Sequence, residues 1–443
     1  MDQDPLSAQM HLNTLIQFRQ AVYDRLGPAR DALFEVCDAA LLAQSPHAFV
    51  HLSTSPVFRR RWSSAYEALQ DSCPDRTGLL TRYLAQIPSA PRPVLAGDHT
   101  AWPRLSAYTL RERTVEHQPT RLPKAKPITL GQGFSSLAWI PQGQGSWALP
   151  LLHERIAPEQ TPISKAVAQL RRVCPRLPQR PVVWYDAEYG CAPFVNASAD
   201  IPCDKLVRLR ANLCLWGAPP PYPGRGRPAK HGQKFKLSDA STWGPPDETL
   251  EVNDPLLGAV RRSLWRDKHL KRAADHSLLV LRLERLGARG TRRDPKGLWR
   301  GWLGEPPPPL AAWWRLYLRR CALDHWYRFA KHSLHWTLPR LKTPERAERW
   351  SDLMPLLSWE LWLARLVVAD KPLPWQKAQQ ALTPGRVKQG FGGLLALIGT
   401  AACAPKPRGK SPGWPKGRQR NPAPRCAVVK KARAKRFDGV SGC

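Results

Sequence analysis

The chain has 443 residues, with 68 Lys plus Arg against 35 Asp plus Glu, a formal net charge of +33. That excess argues for a polyanionic partner, nucleic acid first and a membrane surface second, because phosphate neutralisation with counterion release rewards it. No apolar run approaches ~18 residues, which excludes a membrane-spanning helix, and ten scattered cysteines without a Cys-x2-Cys pair support neither a zinc ribbon nor a redox motif. The N-terminal residues show no basic-then-apolar leader pattern, so a cytoplasmic, nucleoid-associated protein is expected.

Residues 1–90 read as a helical domain, for DNA-end binding or dimerisation. Apolar positions recur at helical spacing over Met10–Leu26 and Ala29–Leu42, and a third segment, Phe58–Leu69, opens on three arginines beside Trp62. Those arginines either grip a DNA backbone or solvate one face of a small bundle, and the second reading is slightly favoured. From Arg92 the pattern changes to strands. One ends on Asp98; Ile128–Ile140 and Ser146–Ile156 form two more, joined by a Gln-Gly turn. Thr161–Cys174 is an amphipathic helix with a Thr-Pro start, Arg180–Gly190 holds a buried strand ending on Asp186, and Asp204–Asn212 follows as another strand. This α/β layer spans residues 91–215.

Residues 216–303 read as a mostly β insertion that begins with a Pro/Gly-rich basic loop. Arg225-Gly226-Arg227-Pro228 in that loop resembles an AT-hook core, whose arginines enter an A·T minor groove; a merely flexible basic loop fits these four residues equally well. Residues 304–400 resume the α/β layer and add C-terminal helices, Pro344–Val368 and Trp375–Ile398. The final segment, 401–443, carries 12 Lys or Arg and no acid between Ala404 and Phe437, so it is expected to be a disordered basic tail.

Leu310–Trp336, bracketed by prolines and free of helix breakers, predicts one helix of 27 residues. Tyr317, Arg320, Asp324 and Lys331 share one face of it, with Arg328 beside them. A surface helix with i,i+4 ion pairs accounts for that face, and so does a metal-ligating acid presented to DNA phosphates. His332 and His335 lack a third ligand and read as phosphate-facing or core residues. Most of the 19 tryptophans are assigned to packing, with Trp326 or Trp336 as candidates to stack on a base at a DNA end. Two acids at strand ends plus one on a helix make an oxygen-ligand set suited to two Mg²⁺ or Mn²⁺ ions.

Asp98 in Gly-Asp-His-Thr, Asp186 in Asp-Ala-Glu-Tyr-Gly, and Tyr317-x2-Arg320-x3-Asp324-x6-Lys331 together resemble the DDE/D transposases of bacterial insertion sequences, in the branch with a Tyr-x2-Arg-x3-acid-x6-Lys signature. The resemblance covers roughly residues 90–400. It implies a ribonuclease H-like catalytic domain interrupted by the β-rich insertion. It also implies Asp98, Asp186 and Asp324 as metal-holding catalytic acids, and Tyr317, Arg320 and Lys331 on the phosphates of the transposon end. Arg328, Arg225 and Arg227 join the expected DNA-binding set. The third acid is Asp where the branch usually has Glu, and His99 follows the first acid where an Asp-Thr or Asp-Asp-Thr pattern is usual. Glu188 is an alternative to Asp186, which its strand-end position favours.

The implied activity is metal-dependent cleavage at transposon ends followed by strand transfer into target DNA, within a homodimeric synaptic complex on double-stranded DNA with terminal inverted repeats. A transposase-derived DNA-binding regulator without catalysis and a site-specific nuclease of the same fold are the alternatives.

Overall fold

The computed structural model describes residues 5–117, 127–141, 145–254, 258–287, 297–304, 307, 309–311, 319, 321–407, 417, 419 and 421–431. It is a mixed α/β structure built on one large mixed sheet of 12 strands. Four helices come first: α1 (Pro5–Tyr23), α2 (Arg30–Leu42), α3 (Trp62–Asp71) and α4 (Arg76–Leu84), with a 3-10 turn at Phe49–Thr54. Helix α4 falls in a segment that its Pro and Gly neighbours disguise; Asp75 starts it by accepting the Gly78 amide hydrogen bond at 2.9 Å.

The central strands are β1 (Val94–Pro103), β2 (Thr114–His117), β3 (Ile128–Trp139), β4 (Leu149–Ile156), β5 (Val182–Tyr185) and β6 (Asp204–Leu209). Helix α5 (Pro162–Val173) carries the chain from β4 to β5; Thr161 and Ser164 close a reciprocal capping box at its start, and Pro162 fits the first helical position. A short α6 (Ala192–Ala197) leads into β6. Strand β1 lies between antiparallel β3 and parallel β5, and β5 pairs in parallel with β6. The parallel core explains why these strands read as continuous apolar runs: both faces are covered.

Residues 214–303 form β7 (Cys214–Trp216), β8 (Lys234–Lys236), β9 (Glu248–Asp254), β10 (Gly258–Leu270), β11 (Ala273–Arg285) and β12 (Leu298–Leu303). These strands continue the central sheet. Strand β12 pairs antiparallel with β6, and the order runs β2-β3-β1-β5-β6-β12-β11-β10-β7-β8. The fold then closes with α7 (Cys321–His332), α8 (Pro344–Ala364) and α9 (Pro384–Ile398).

Several expectations change here. Asp98 lies inside β1, which runs five residues further, because His99–Pro103 keep pairing with β3. The expected helix from Leu310 to Trp336 is shorter: α7 ends at His332, the chain turns, and His335 sits at φ 60°. Leu310, Ala311 and Arg319 lie in turns, and residues 312–318 and 320 are outside the described residues. Helix α9 begins only at Pro384, since Pro372 and Pro374 and the Asp370–Arg386 pair hold the preceding stretch in a loop. Residues 421–431 of the basic tail lie extended along 108–116. The Cys426 and Val429 amides donate to the Tyr108 and Arg113 carbonyls at 2.8 Å each. Lys431 Nζ meets the buried Glu116 carboxylate at 2.8 Å, a counter-charge that a buried acid requires.

Helix α8 is the axle of the packing, lying against β4, α1, α3 and α9. Its Trp359 is sandwiched between Tyr83 of α4 and Trp139 of β3, with ring centroids 5.7 and 5.8 Å away and near-parallel planes. Buried Arg19 of α1 ties this helix to α2: it donates to both Asp38 oxygens at 2.9 and 3.1 Å and pairs with Glu360. Removing the cation would leave two carboxylates buried without their counter-charge. Arg19→Ala should therefore cost about 3–5 kcal/mol of stability, read as a lowered urea midpoint with little change in slope.

Candidate active site

The acid pair arises from strand pairing. Val94, Leu95 and Ala96 of β1 stand level with Val182, Val183 and Trp184 of β5 in parallel register. That pairing ends at Ala96 and Trp184, on strands about 4.8 Å apart; Asp98 lies two residues further along β1, and Asp186 directly follows the last residue of β5. Each carboxylate is pinned by the amide of the residue that follows it. His99 N–H donates to Asp98 Oδ1 at 2.8 Å, and Ala187 N–H donates to Asp186 Oδ1 at 2.6 Å. Arg208 Nη1 of β6 lies 3.9 Å from Asp186 Oδ1. Gly97 is required by the close approach of the Tyr185 ring, which occupies the space a Cβ would fill.

His99 connects the two acid motifs. Its Nδ1 is 3.1 Å from the hydroxyl of buried Tyr189 and its Nε2 is 3.5 Å from Glu188 Oε2. Burial pushes the Tyr189 phenol well above its ordinary range, so it stays neutral. Glu188 thus faces His99 from the loop after β5, and Asp186 directly follows the strand.

Helix α7 is anchored on both sides. Tyr327 Oη donates to the Asp98 carbonyl at 2.8 Å, and Lys331 Nζ donates to Thr100 Oγ1 at 2.7 Å, so two successive turns of α7 sit on β1. From the other side Trp326 Nε1 donates to Ser358 Oγ of α8 at 2.8 Å. Asp324 stands one turn before Tyr327, exposed, in the first turn of the helix. Arg328 is exposed beside it, and Lys331 is half-buried, its ammonium pushed below the ordinary lysine range by that burial. Tyr317 and Arg320 lie outside the described residues. Tyr327 is not among the residues singled out from the sequence; its phenolic oxygen was the available signal.

Two residues change role. Trp326 and Trp336 are buried, at 3% and 0% exposure, and neither can reach a DNA base. Trp336 Nε1 donates to Ser351 Oγ at 2.8 Å, so both indoles spend their one donor inside the core. Arg59 and Arg60 likewise turn inward: Arg59 Nε donates to buried Glu35 at 2.8 Å, and Arg60 Nη2 donates to the Cys403 carbonyl at 2.6 Å. Arg225 and Arg227 are exposed on the loop between β7 and β8.

A family model described as DDE superfamily endonuclease matches residues 21–272. The chain belongs to that family. No curated protein matches it. Membership makes the chain a nucleic-acid-cleaving enzyme of a family that acts on DNA and generally uses divalent metal ions. The matched span of this DDE endonuclease contains Asp98 and Asp186 and stops before Asp324. Carboxylate oxygens are the donors that a hard divalent cation takes, and the oriented Asp98–Asp186 pair fits one. Among the described residues, no three His, Cys, Asp or Glu side chains converge into a metal-holding group, so Asp324 is carried to β1 without closing a ligand set.

Beneath the site lies His153 of β4, whose ring packs 4.5 Å from Trp336 and 5.2 Å from Trp326, and whose Nδ1 is 2.8 Å from Ser136 Oγ. Burial, reinforced by Lys331, pulls its imidazolium down to about 3. A depressed folded-state value means that the unfolded chain takes the proton first. Stability tied to neutral His153 is complete above about pH 6.5 and is lost as pH falls towards 3. In His153→Gln the decline of melting temperature between pH 6.5 and 4 should be shallower than in the wild type, as scanning calorimetry would read.

Proposed function

We propose that this DDE endonuclease is the transposase of a bacterial insertion sequence, on a ribonuclease H-like catalytic fold. It cleaves DNA at the element's ends and transfers the freed 3′-hydroxyl into target DNA. The observation that supports the reading is the parallel pairing of β1, which bears Asp98, with β5, which Asp186 follows, together with the bond from Tyr327 of the Asp324 helix to the Asp98 carbonyl. Those three acids would hold the divalent ions. A divalent ion such as Mg²⁺ or Mn²⁺ held by them would supply the Lewis acidity to activate a water or a 3′-hydroxyl and to stabilise the leaving oxygen of the phosphodiester.

The protein's own contribution is positional. Backbone amides orient the two strand carboxylates, and Tyr327 fixes α7 against the strand that bears the first of them. Asp324, Arg328 and Lys331 then present one acid and two cations on the helix, the cations suited to phosphate oxygens. Tyr317 and Arg320 belong to the same phosphate-binding set. No protein nucleophile is needed, since catalysis rests on orientation and electrostatic stabilisation. Two copies would bring two DNA ends together.

The test is a cleavage and strand-transfer assay on labelled DNA carrying the element's inverted repeats. Asp98→Asn, Asp186→Asn and Asp324→Asn should each lower Mg²⁺-dependent nicking at least about 100-fold while binding is retained. Nicking without strand transfer would replace this reading with a site-specific nuclease, and binding with no cleavage by the wild type would replace it with a regulator. Cleavage that survives Asp324→Asn would remove Asp324 from the acid set.

A further inference from the structure

The loop between β7 and β8 is built to be presented. Every residue from 218 to 230 is exposed, none is acidic, and its charged residues are Arg225, Arg227 and Lys230. Gly224 and Gly226 alternate with the two arginines at φ 81° and 79°, a conformation that glycine adopts without penalty. A Cβ at either glycine would meet nothing within 4 Å, so no packing inside the protein requires their smallness. What their smallness provides is a bare backbone between two guanidinium groups. The turn is held in advance: Tyr222 Oη donates to the Gly226 carbonyl at 3.0 Å. At the root of the loop, Lys234 and Lys271 each place an ammonium 5.7 Å from the Trp216 ring centroid, with the His231 ring 5.2 Å away.

We propose that residues 222–228 form an arm that enters the minor groove of A·T-rich duplex DNA, with Lys234 and Lys271 on the flanking phosphates. A narrow A·T groove has an enhanced negative potential that draws arginine, and it lacks the guanine amino group that crowds a G·C groove. Guanidinium is the more weakly hydrated cation and gives up water more readily on entering a confined groove. Flanking lysines add affinity without sequence preference, through counterion release. The arm therefore supplies a preference for base composition that the acid site itself does not carry.

The experiment measures binding of the full-length protein to labelled duplexes by fluorescence anisotropy, at one salt concentration and in EDTA. Cleavage plays no part in the readout, so it stands whether or not the transposase reading does. Wild type should bind an A·T-tract duplex at least about 10-fold more tightly than a G·C duplex of equal length, and netropsin, which fills the A·T minor groove, should compete away that difference. Arg225→Ala/Arg227→Ala should lose the preference, its G·C affinity falling only a few-fold. Arg225→Lys/Arg227→Lys should keep the G·C affinity and lose the preference. Equal wild-type affinity for the two duplexes would overturn the proposal. So would a preference that survives in the alanine variant, or one kept in full by the lysine variant, which would assign the effect to charge alone.

Discussion

The site depends on the parallel pairing of β1 with β5. Nothing local in the sequence joins Asp98 to Asp186; the parallel register of β1 with β5 is what brings their segments side by side, and a slip by a single residue would turn the side chains of one strand to the opposite face. The intervening chain secures that register. Strands β3 and β4 extend the sheet on one side of β1, and α5 crosses over to return the chain in parallel. The Tyr185 ring fills the space above Gly97 and locks β5 against β1. Each acid then needs only its neighbour's backbone amide to be oriented.

The tryptophans do the corresponding work for the helices. A buried indole contributes a large apolar surface but demands a partner for its one N–H. Trp326, Trp336, Trp350 and Trp359 find theirs in Ser358, Ser351, the Trp336 carbonyl and the Pro150 carbonyl, at 2.7–2.9 Å. Such directional bonds fix the rotation of α7 about its axis in a way that apolar contact alone does not. That rotation decides that Tyr327 faces β1 while Asp324 and Arg328 face solvent.

Much of this was legible in the sequence, for identifiable reasons. Asp186 follows a four-residue apolar strand, and Thr161-Pro162 announces α5, because both signals are local. Strand β9, Glu248–Asp254, falls within the stretch read as mostly β. What escaped depended on distant partners. The inward turn of Arg59 and Arg60 requires Glu35 on α2, and the docking of residues 421–431 requires the buried Glu116. The early end of α7 is a backbone event at His335 that neither a proline nor a glycine marks. Composition made Trp326 and Trp336 look available for stacking; only the serines on α8, far along the chain, show that both indoles are already engaged.

The continuity of the sheet from β5 to β7 has a mechanical consequence. Hydrogen-bonded strands resist stretching in the plane, and β5, β6, β12, β11, β10 and β7 form one continuous plate between β5 and the root of the basic loop. Five strand spacings of about 4.8 Å separate β5 from β7, roughly 24 Å measured across the strands. Along a duplex that is about seven base-pair rises of 3.4 Å. On the proposed reading the plate is in effect a ruler: what the arm would grip and what the acids would address are offset by the strands that lie between.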